Sequence, residues 1–236
     1  MKGALIPAVL AILWEAGSRA GLLPQDSFSR PSAIAAAFVH GFADGTIPRD
    51  TWLTFEAALA GFAIAAVLGI LAGVALGLSA RLERVVGPSV DALRPIPSVA
   101  LIPLALLVFG FGVRMEASVV AFACFWPVLL MTQSAVRGIE PRLLELARSL
   151  QLSFFATLRK VILPAAFDRI GVGLRLALGI SLVVAVTVEI VLNPRGLGHA
   201  MIGAQQALRS DLMYAQLLWL GALGWMLNHA AKKVLP

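Results

Sequence analysis

The chain has 236 residues, of which 59% are hydrophobic and 14% charged, with a mean hydropathy of +0.89 and a formal net charge of +6. Soluble domains carry about a quarter of their residues as charged ones, so this composition argues against a soluble globular protein. The basic residues are divided among short segments between apolar runs, which argues against a nucleic-acid-binding face. The composition predicts an integral membrane protein.

Six apolar segments are candidates for membrane-spanning helices, which need about 20 apolar residues each. Four windows of 19 to 24 residues contain no Asp, Glu, Lys or Arg: 57–80, 95–113, 117–136 and 212–231. A shorter window, 176–188, is followed by Glu189 and further apolar residues. The first segment, 3–14, follows Lys2 and resembles a secretory signal, but no small-x-small cleavage site follows it. We therefore predict a retained first helix and six spans.

The positions of the basic residues predict the orientation. With the N-terminus in the cytoplasm, 13 of the 19 Lys and Arg residues fall on inner segments and 6 on outer ones. Cytoplasmic loops carry such an excess of Lys and Arg. Both termini are therefore predicted to be cytoplasmic, in a multi-pass protein of the inner membrane.

The segment between the first two spans is predicted to lie outside. Within it Ile34, Ala37, Phe38, Gly41 and Phe42 fall on one helical face, and Ser32 stands where it could cap the first turn. This pattern predicts a short amphipathic helix that rests on the membrane. We accordingly divide the chain into an N-terminal part, 1–50, and a transmembrane domain, 51–236.

Two spans carry patterns that affect their packing. In the second, small residues recur at intervals of four, which lets two helix backbones approach closely; they are Gly61, Ala65, Gly69, Gly73 and Gly77. Packing within one subunit is favoured over packing between subunits. In the third, Pro95, Pro97 and Pro103 each remove a backbone donor and predict a bend where the span begins.

A loop at about 137–172 interrupts the apolar sequence. Residues 137–175 include ten charged ones, and each would cost about 2.5–3.5 kcal/mol at the centre of a bilayer, so the loop must lie in water. One helical face is apolar (Leu143, Leu146, Ala147, Leu150, Phe154) and the other polar (Arg142, Glu145, Arg148, Ser149). A second helical piece, 154–162, is predicted to end at Leu163 and Pro164. The apolar face could lie on the membrane or in a groove of a soluble partner.

The loop resembles the EAA signature of permease subunits of binding-protein-dependent ABC importers. Glu145, Ala147, Leu163 and Pro164 match that signature, and Val161 stands in place of Ile. Leu146 replaces an alanine. Gln151 replaces a glycine that suits a turn with positive φ, a conformation that Gln adopts less readily. The stretches "ALRPIPSVALIPLALLVFGFG", "RLERVVGPSVDAL", "GIEPRLLELARSL" and "GLGHAMIGAQQALRSDLMYAQLL" are similar to the nitrate, sulfonate and taurine branch of these permeases.

The resemblance implies an all-α membrane protein of about six spans with the type I importer (MetI-like) architecture. It implies a homodimer that works with two ATPase subunits and an external solute-binding protein. The coupling residues would be Glu145, Leu146, Ala147, Leu150, Gln151, Leu163 and Pro164. ATP and magnesium would bind to the ATPase, so this chain would not itself be an enzyme. The solute would be a sulfonate, taurine, nitrate or a similar oxyanion, although related permeases carry pyrimidine or flavin precursors.

Other residues give little sign of chemistry. None of the lysines, Lys2, Lys160, Lys232 and Lys233, lies in a Gly-x4-Gly-Lys phosphate loop, so energy is expected from another subunit. His40, His199 and His229 lack metal-ligand spacing, and Cys124 is the single cysteine. Glu189 could serve transport, reach the surface or pair with Arg195. An ion-driven secondary transporter and a membrane enzyme are the rival readings, and the sequence lacks the repeated halves or catalytic groups they need.

Overall fold

The computed structural model describes residues 5–22, 24 and 28–234 of the chain. Within them all regular structure is helical, which confirms the all-α prediction. The helices are α1 (Leu5–Arg19), α2 (Pro31–Ala43), α3 (Thr46–Leu78), α4 (Ala80–Leu93), α5 (Ile102–Phe109), α6 (Val113–Arg137), α7 (Pro141–Ser149), α8 (Phe154–Thr157), α9 (Leu163–Val191), α10 (Gly196–Gln206) and α11 (Ser210–Val234).

Three helices in the described part of the chain are long and apolar enough to cross a membrane: α3, α6 and the continuous helix Phe154–Val191. A fourth span results if α4 and the helical segment Ser98–Phe109 count as one bent pair. The count of six stays a prediction. Helix α1 is too short to count among these candidate spans, since its described part has 15 residues. Helix α11 has 25 residues but is less apolar than the three candidate spans.

The third predicted span, 95–113, is not one continuous helix. A 3-10 turn, Ser98–Leu101, precedes α5, which has only 8 residues. The physical reason is that Pro95 and Pro97 cannot donate helical hydrogen bonds. The predicted bend is confirmed, because α4 and the segment Ser98–Phe109 meet at 87°.

The chain forms two compact units. The first consists of the residues up to Phe55 together with Val186–Gly224. The second consists of Glu56–Ala185 together with the residues from Trp225 onward. The predicted division into 1–50 and 51–236 stays a prediction.

In the second unit the small residues of α3 pack against α6, which confirms the predicted packing within the subunit. A methyl group placed on Gly73 would lie 2.5 Å from Cβ of Thr132, and one on Gly61 would lie 2.6 Å from Cβ of Val120. The facing residues are likewise spaced by four or eight positions: Val120, Val128, Thr132 and Val136. Residue numbers rise together along both helices, so α3 and α6 are parallel. The chain must therefore return across the membrane between Leu78 and Val113.

Helix α9 packs against α6 in the opposite direction. Gly173 lies against Met131, and further along α9 the thiol of Cys124 donates a hydrogen bond to the carbonyl oxygen of Ala177 at 3.1 Å. Residue numbers therefore fall along α6 as they rise along α9, so the two helices are antiparallel. The end of α3, the end of α6 and the beginning of α9 consequently lie on one side of this unit, the side of the charged loop.

In the first unit the apolar face of α2 is covered by protein. Ile34, Ala37 and Gly41 are buried, which confirms the predicted face. The rings of Phe38 and Phe42 lie 5.9 and 4.9 Å from that of Trp219 in α11. The prediction that this face rests on the membrane is therefore wrong, because aromatic side chains of α11 occupy that place.

The predicted cap of α2 is also different. Arg30, not Ser32, occupies the cap position, and it makes no side-chain hydrogen bond to the helix. Ser32 lies in the first turn, where its backbone N–H and its hydroxyl donate to the carboxylate of Glu15 at 3.1 and 2.9 Å. A carboxylate from α1 thus accepts an N–H that the helix itself leaves without a partner.

Candidate functional site

The charged loop forms a compact helical structure between α6 and α9. Helix α7 is followed by a short link, and α8 continues through a π-helical turn, Leu158–Ile162, into α9. The prediction that the second helical piece ends at Leu163 and Pro164 is therefore wrong. A π turn widens the helix, which accommodates the proline ring and its missing donor without ending the helix.

The loop is attached to the second unit through a small apolar base. Ala147 is 2% exposed, whereas the other residues of α7 are exposed or half-buried. Leu144 and Leu158 pack on a buried cluster contributed by the ends of α6 and α9: Ala135, Val136, Ile139, Ile162, Ala166 and Ile170. These contacts fix the position of α7 relative to both helices.

Five large apolar side chains of the loop are exposed. Their exposed fractions range from 38% at Leu143 through 56% at Leu146 and 62% at Leu150 to 63% and 78% at Phe154 and Phe155. Glu145 is exposed as well, Leu163 is half-buried, and Pro164 is exposed. We call Leu143, Leu146, Leu150, Phe154 and Phe155 the outer apolar face. Contiguous apolar patches of this kind mark interaction sites on proteins.

The link after α7 has the geometry that the resemblance implies. Gln151 has φ +52°, in the left-handed region. Its N–H donates to the carbonyl of Arg148 at 2.9 Å, and the N–H of Leu152 donates to that of Ala147 at 3.0 Å. This pair of bonds is the Schellman arrangement, which usually places glycine where Gln151 stands. The turn is therefore kept and Gln151 adopts the unusual φ.

Gln151→Gly is expected to stabilise the protein by roughly 1 kcal/mol, because a side chain in the left-handed region costs about 1–2 kcal/mol that glycine avoids. The thermal midpoint of the purified protein should rise by a few degrees while uptake is unchanged. Arg148→Gly, inside α7, is the matched control and should lower the midpoint, since glycine is unfavourable within a helix. A lower midpoint for Gln151→Gly would contradict the expected release of strain.

Glu189 holds the beginning of α10. It is 1% exposed and does not reach the surface, and its carboxylate accepts the N–H of Gly198 at 2.7 Å. The N–H of Leu197 donates to the hydroxyl of Thr54 at 2.9 Å. A side chain on Gly196, which has φ +85°, would collide with the carboxylate of Glu189. A buried carboxylate near the positive end of a helix is electrostatically favourable.

We expect Glu189→Gln and Glu189→Leu to separate an anchoring role from a direct role in transport. Gln keeps an oxygen acceptor for Gly198 and should retain folding and most of the uptake. Leu leaves buried N–H groups unbonded, at about 1–3 kcal/mol, and should lower the thermal midpoint. Detergent-solubilised protein and uptake in vesicles report these two effects. Loss of uptake in Glu189→Gln with an unchanged midpoint would instead assign the carboxylate to the transport path.

Comparison with known proteins identifies the chain. Residues 65–232 match the family described as binding-protein-dependent transport system inner membrane component. The chain belongs to this family. It is 31% identical over 224 residues to SsuC of Bacillus subtilis, which is named as an aliphatic sulfonates transport permease; the match covers 95% of this chain and 81% of that protein. It is 28% identical over 205 residues to the taurine transport system permease TauC of Escherichia coli, covering 87% and 74%. Further relatives of this permease are named for nitrate and bicarbonate transport.

A solved structure has the same fold. The match is to a chain of the MetNI methionine ABC transporter in an inward-facing conformation, with a TM-score of 0.67 and 22% sequence identity. It covers 78% of this permease and 91% of that chain. The type I importer permease architecture is therefore confirmed.

Two features of this permease become visible only in the structure. Glu116, in the first turn of α6, is fully buried. Glu116 lies one residue before the charge-free window 117–136, so the sequence places it outside the predicted span, whereas α6 includes it. Glu83 of α4 forms an ion pair with Arg137 at the end of α6 and also accepts a hydrogen bond from Gln133 at 3.2 Å. Nothing in the sequence marks this pair, because its members are more than fifty positions apart.

Proposed function

We propose that this permease forms the translocation path of an ATP-driven importer and that the outer apolar face docks into an ATPase subunit. Two copies of the chain would form the path, two ATPase subunits would bind at the cytoplasmic side, and an external binding protein would deliver the solute. ATP and magnesium would bind to the ATPase. The chain's own part is to receive a conformational change at the loop and to transmit it into α6 and α9.

The observation that carries this proposal is a large apolar surface on a water-exposed loop with a fixed internal structure. Helix α7 ends in a defined turn, packs on the buried cluster through Leu144 and buries Ala147, so its outer residues are held in position. An amphipathic helix presented in this way fits a groove on a partner protein. Docking there would bury Leu146, Leu150 and Phe155, and Glu145 would remain on the adjoining polar face.

The position of the loop suits the transmission of force. It connects the end of α6 directly to the helix Phe154–Val191, and the cluster beneath it joins both helices. A displacement of α7 would therefore move two packed membrane helices together. Interiors packed without voids transmit such displacements because they deform little.

We propose a small oxyanion as the solute, such as a sulfonate, taurine or nitrate. The support is that relatives are named for the transport of sulfonates and taurine. Selectivity would rest mainly with the external binding protein. The binding protein encoded beside this permease should therefore gain thermal stability with one of these oxyanions. If only a pyrimidine or a flavin precursor stabilised the binding protein, the solute would be a compound of that class and not an oxyanion.

Copurification tests the partnership. The tagged permease should retain an ATPase subunit in equal amount when it is purified from its own membranes, and uptake into vesicles should stop when ATP is depleted. No retained ATPase, together with uptake that persists without ATP and collapses with the ion gradient, would overturn the proposal and support a secondary transporter.

Both termini should be protected from protease added outside intact cells, since we propose that they are cytoplasmic.

A further inference from the structure

Helix α4 has an apolar stripe that the described chain covers only in part: Val86 and Val90 are half-buried, whereas Leu82, Val85 and Leu93 are exposed. Leu82, Val85, Val86, Val90 and Leu93 fall on one face at helical spacing, and none of the helix residues is buried. Val85 is 77% exposed and Leu93 46%. A 14-residue helix with Pro88 inside it is marginal in water unless something covers its apolar face. The helix therefore needs an apolar environment outside this chain.

The geometry places α4 in the plane of the membrane. Residues 95–113 carry no charged side chain, whereas α4 carries four, so the return across the membrane falls to 95–113, whose helix α5 packs against α6. The axis of α4 meets that of the segment Ser98–Phe109 at 87°. A helix perpendicular to a span lies parallel to the membrane surface.

The depth of α4 is fixed by its first turn. Glu83 is paired with Arg137, the last residue of α6, and bonded to Gln133 one turn earlier. The charged end of a span lies at the membrane–water boundary. The beginning of α4 therefore lies at that boundary, on the side of the charged loop.

The charges of α4 favour a lipid surface. Arg81, Arg84 and Arg94 are all exposed on the polar side of the apolar stripe. The acidic residues of this segment are Glu83, whose carboxylate is engaged by Arg137, and Asp91. A basic helix with an apolar stripe binds the boundary between headgroups and acyl chains, and arginines near it attract anionic lipids.

We propose that α4 is an in-plane helix that binds anionic lipid of the cytoplasmic leaflet. Its apolar stripe inserts among the acyl chains, and Arg81, Arg84 and Arg94 contact lipid phosphates. Through Glu83 this lipid-bound helix is joined to the end of α6, directly before the charged loop. The inference concerns a different surface from the outer apolar face and does not depend on the ATPase proposal.

Spin labels on the full-length permease test the placement. Cys124 is buried and can remain while single cysteines replace Val85, Leu93 or, as the control on the polar face, Asp91. In vesicles of phosphatidylcholine and phosphatidylglycerol, labels at Val85 and Leu93 should be accessible to oxygen at roughly 5–10 Å below the headgroups. The label at Asp91 should be accessible to a water-soluble nickel complex. Nickel accessibility at Val85 equal to that at Asp91 would overturn the placement, as would shielding that arises only when an ATPase subunit is added.

A charge variant tests the lipid chemistry. Replacing Arg81, Arg84 and Arg94 together with Gln should lower the preference for phosphatidylglycerol over phosphatidylcholine by roughly fivefold per arginine. The matched control replaces Arg30, Arg49 and Arg209, which we predict to lie on the outer side, and should leave the preference in the inner leaflet unchanged. An unchanged preference in the α4 variant would overturn the role of the arginines. An equal loss of the phosphatidylglycerol preference in both variants would show only a general effect of charge. That result would also overturn the role of the α4 arginines.

Discussion

Ala147→Trp is expected to lower ATP-driven uptake by roughly tenfold or more while the protein still inserts into the membrane. Ala147 is 2% exposed, and its carbonyl closes the turn through Leu152. An indole does not fit at a position that protein atoms already cover, so α7 must shift, and overpacking of this kind costs about 1–3 kcal/mol. Uptake and ATP hydrolysis measured in the same vesicles report the change. Hydrolysis should persist without transport.

Glu145→Lys separates docking from folding. Glu145 is exposed, so the substitution should leave the thermal midpoint unchanged. At the edge of the proposed docking surface, Lys in place of Glu145 would meet a partner surface that is complementary to a carboxylate. Repulsion of like charges across an interface costs several kcal/mol, so uptake should still fall by roughly tenfold. For Ala147→Trp, the matched control is Ala36→Trp, which adds the same indole at an exposed position of α2. Full coupling in both Ala147→Trp and Glu145→Lys would remove the docking role from this loop.

Gly73→Ala is expected to destabilise the second unit although alanine is the better helix former. The added methyl would lie 2.5 Å from Cβ of Thr132 and 2.7 Å from the carbonyl oxygen of Leu129. Because neither atom belongs to a flexible side-chain end, α3 and α6 must separate. We expect a net loss of about 1–3 kcal/mol in the free energy of unfolding.

Gly179→Ala is the control for this substitution. Gly179 lies in α9, in the same unit, and a methyl group there would meet nothing within 4 Å. Its thermal midpoint should stay the same or rise, whereas that of Gly73→Ala should fall by several degrees. Equal midpoints for the two variants would show that the α3–α6 contact does not depend on small residues.

Local patterns in the sequence predicted the features that depend on one element. The spacing of Gly61 to Gly77 predicted close packing, and the periodicity from Leu143 to Leu150 predicted the amphipathic α7. The proline cluster at Pro95 and Pro97 predicted the bend. In each case the residue types that produce the feature lie within a few helical turns of one another.

The features that could not be predicted depend on partners distant in sequence. The aromatic residues of α11 cover α2, and Glu15 caps its first turn, because tertiary contacts replace the local ones. Pro164 was expected to end a helix, but the π turn before it allows α8 to continue into α9. The sequence left open whether Glu189 serves transport, reaches the surface or pairs with Arg195, and only the fold shows the N–H of Gly198 against its carboxylate.

A photo-crosslinker at Leu146 distinguishes an outer apolar face that docks on an ATPase from one that lies in the bilayer. Leu146 is 56% exposed on the outer apolar face, and Val39, 64% exposed on α2, provides the control position. In membranes that contain the proposed partner ATPase, we predict one protein adduct from position 146, with that ATPase, and none from position 39. Adducts of position 146 with lipid alone would place the outer apolar face in the bilayer and contradict its role as the docking surface.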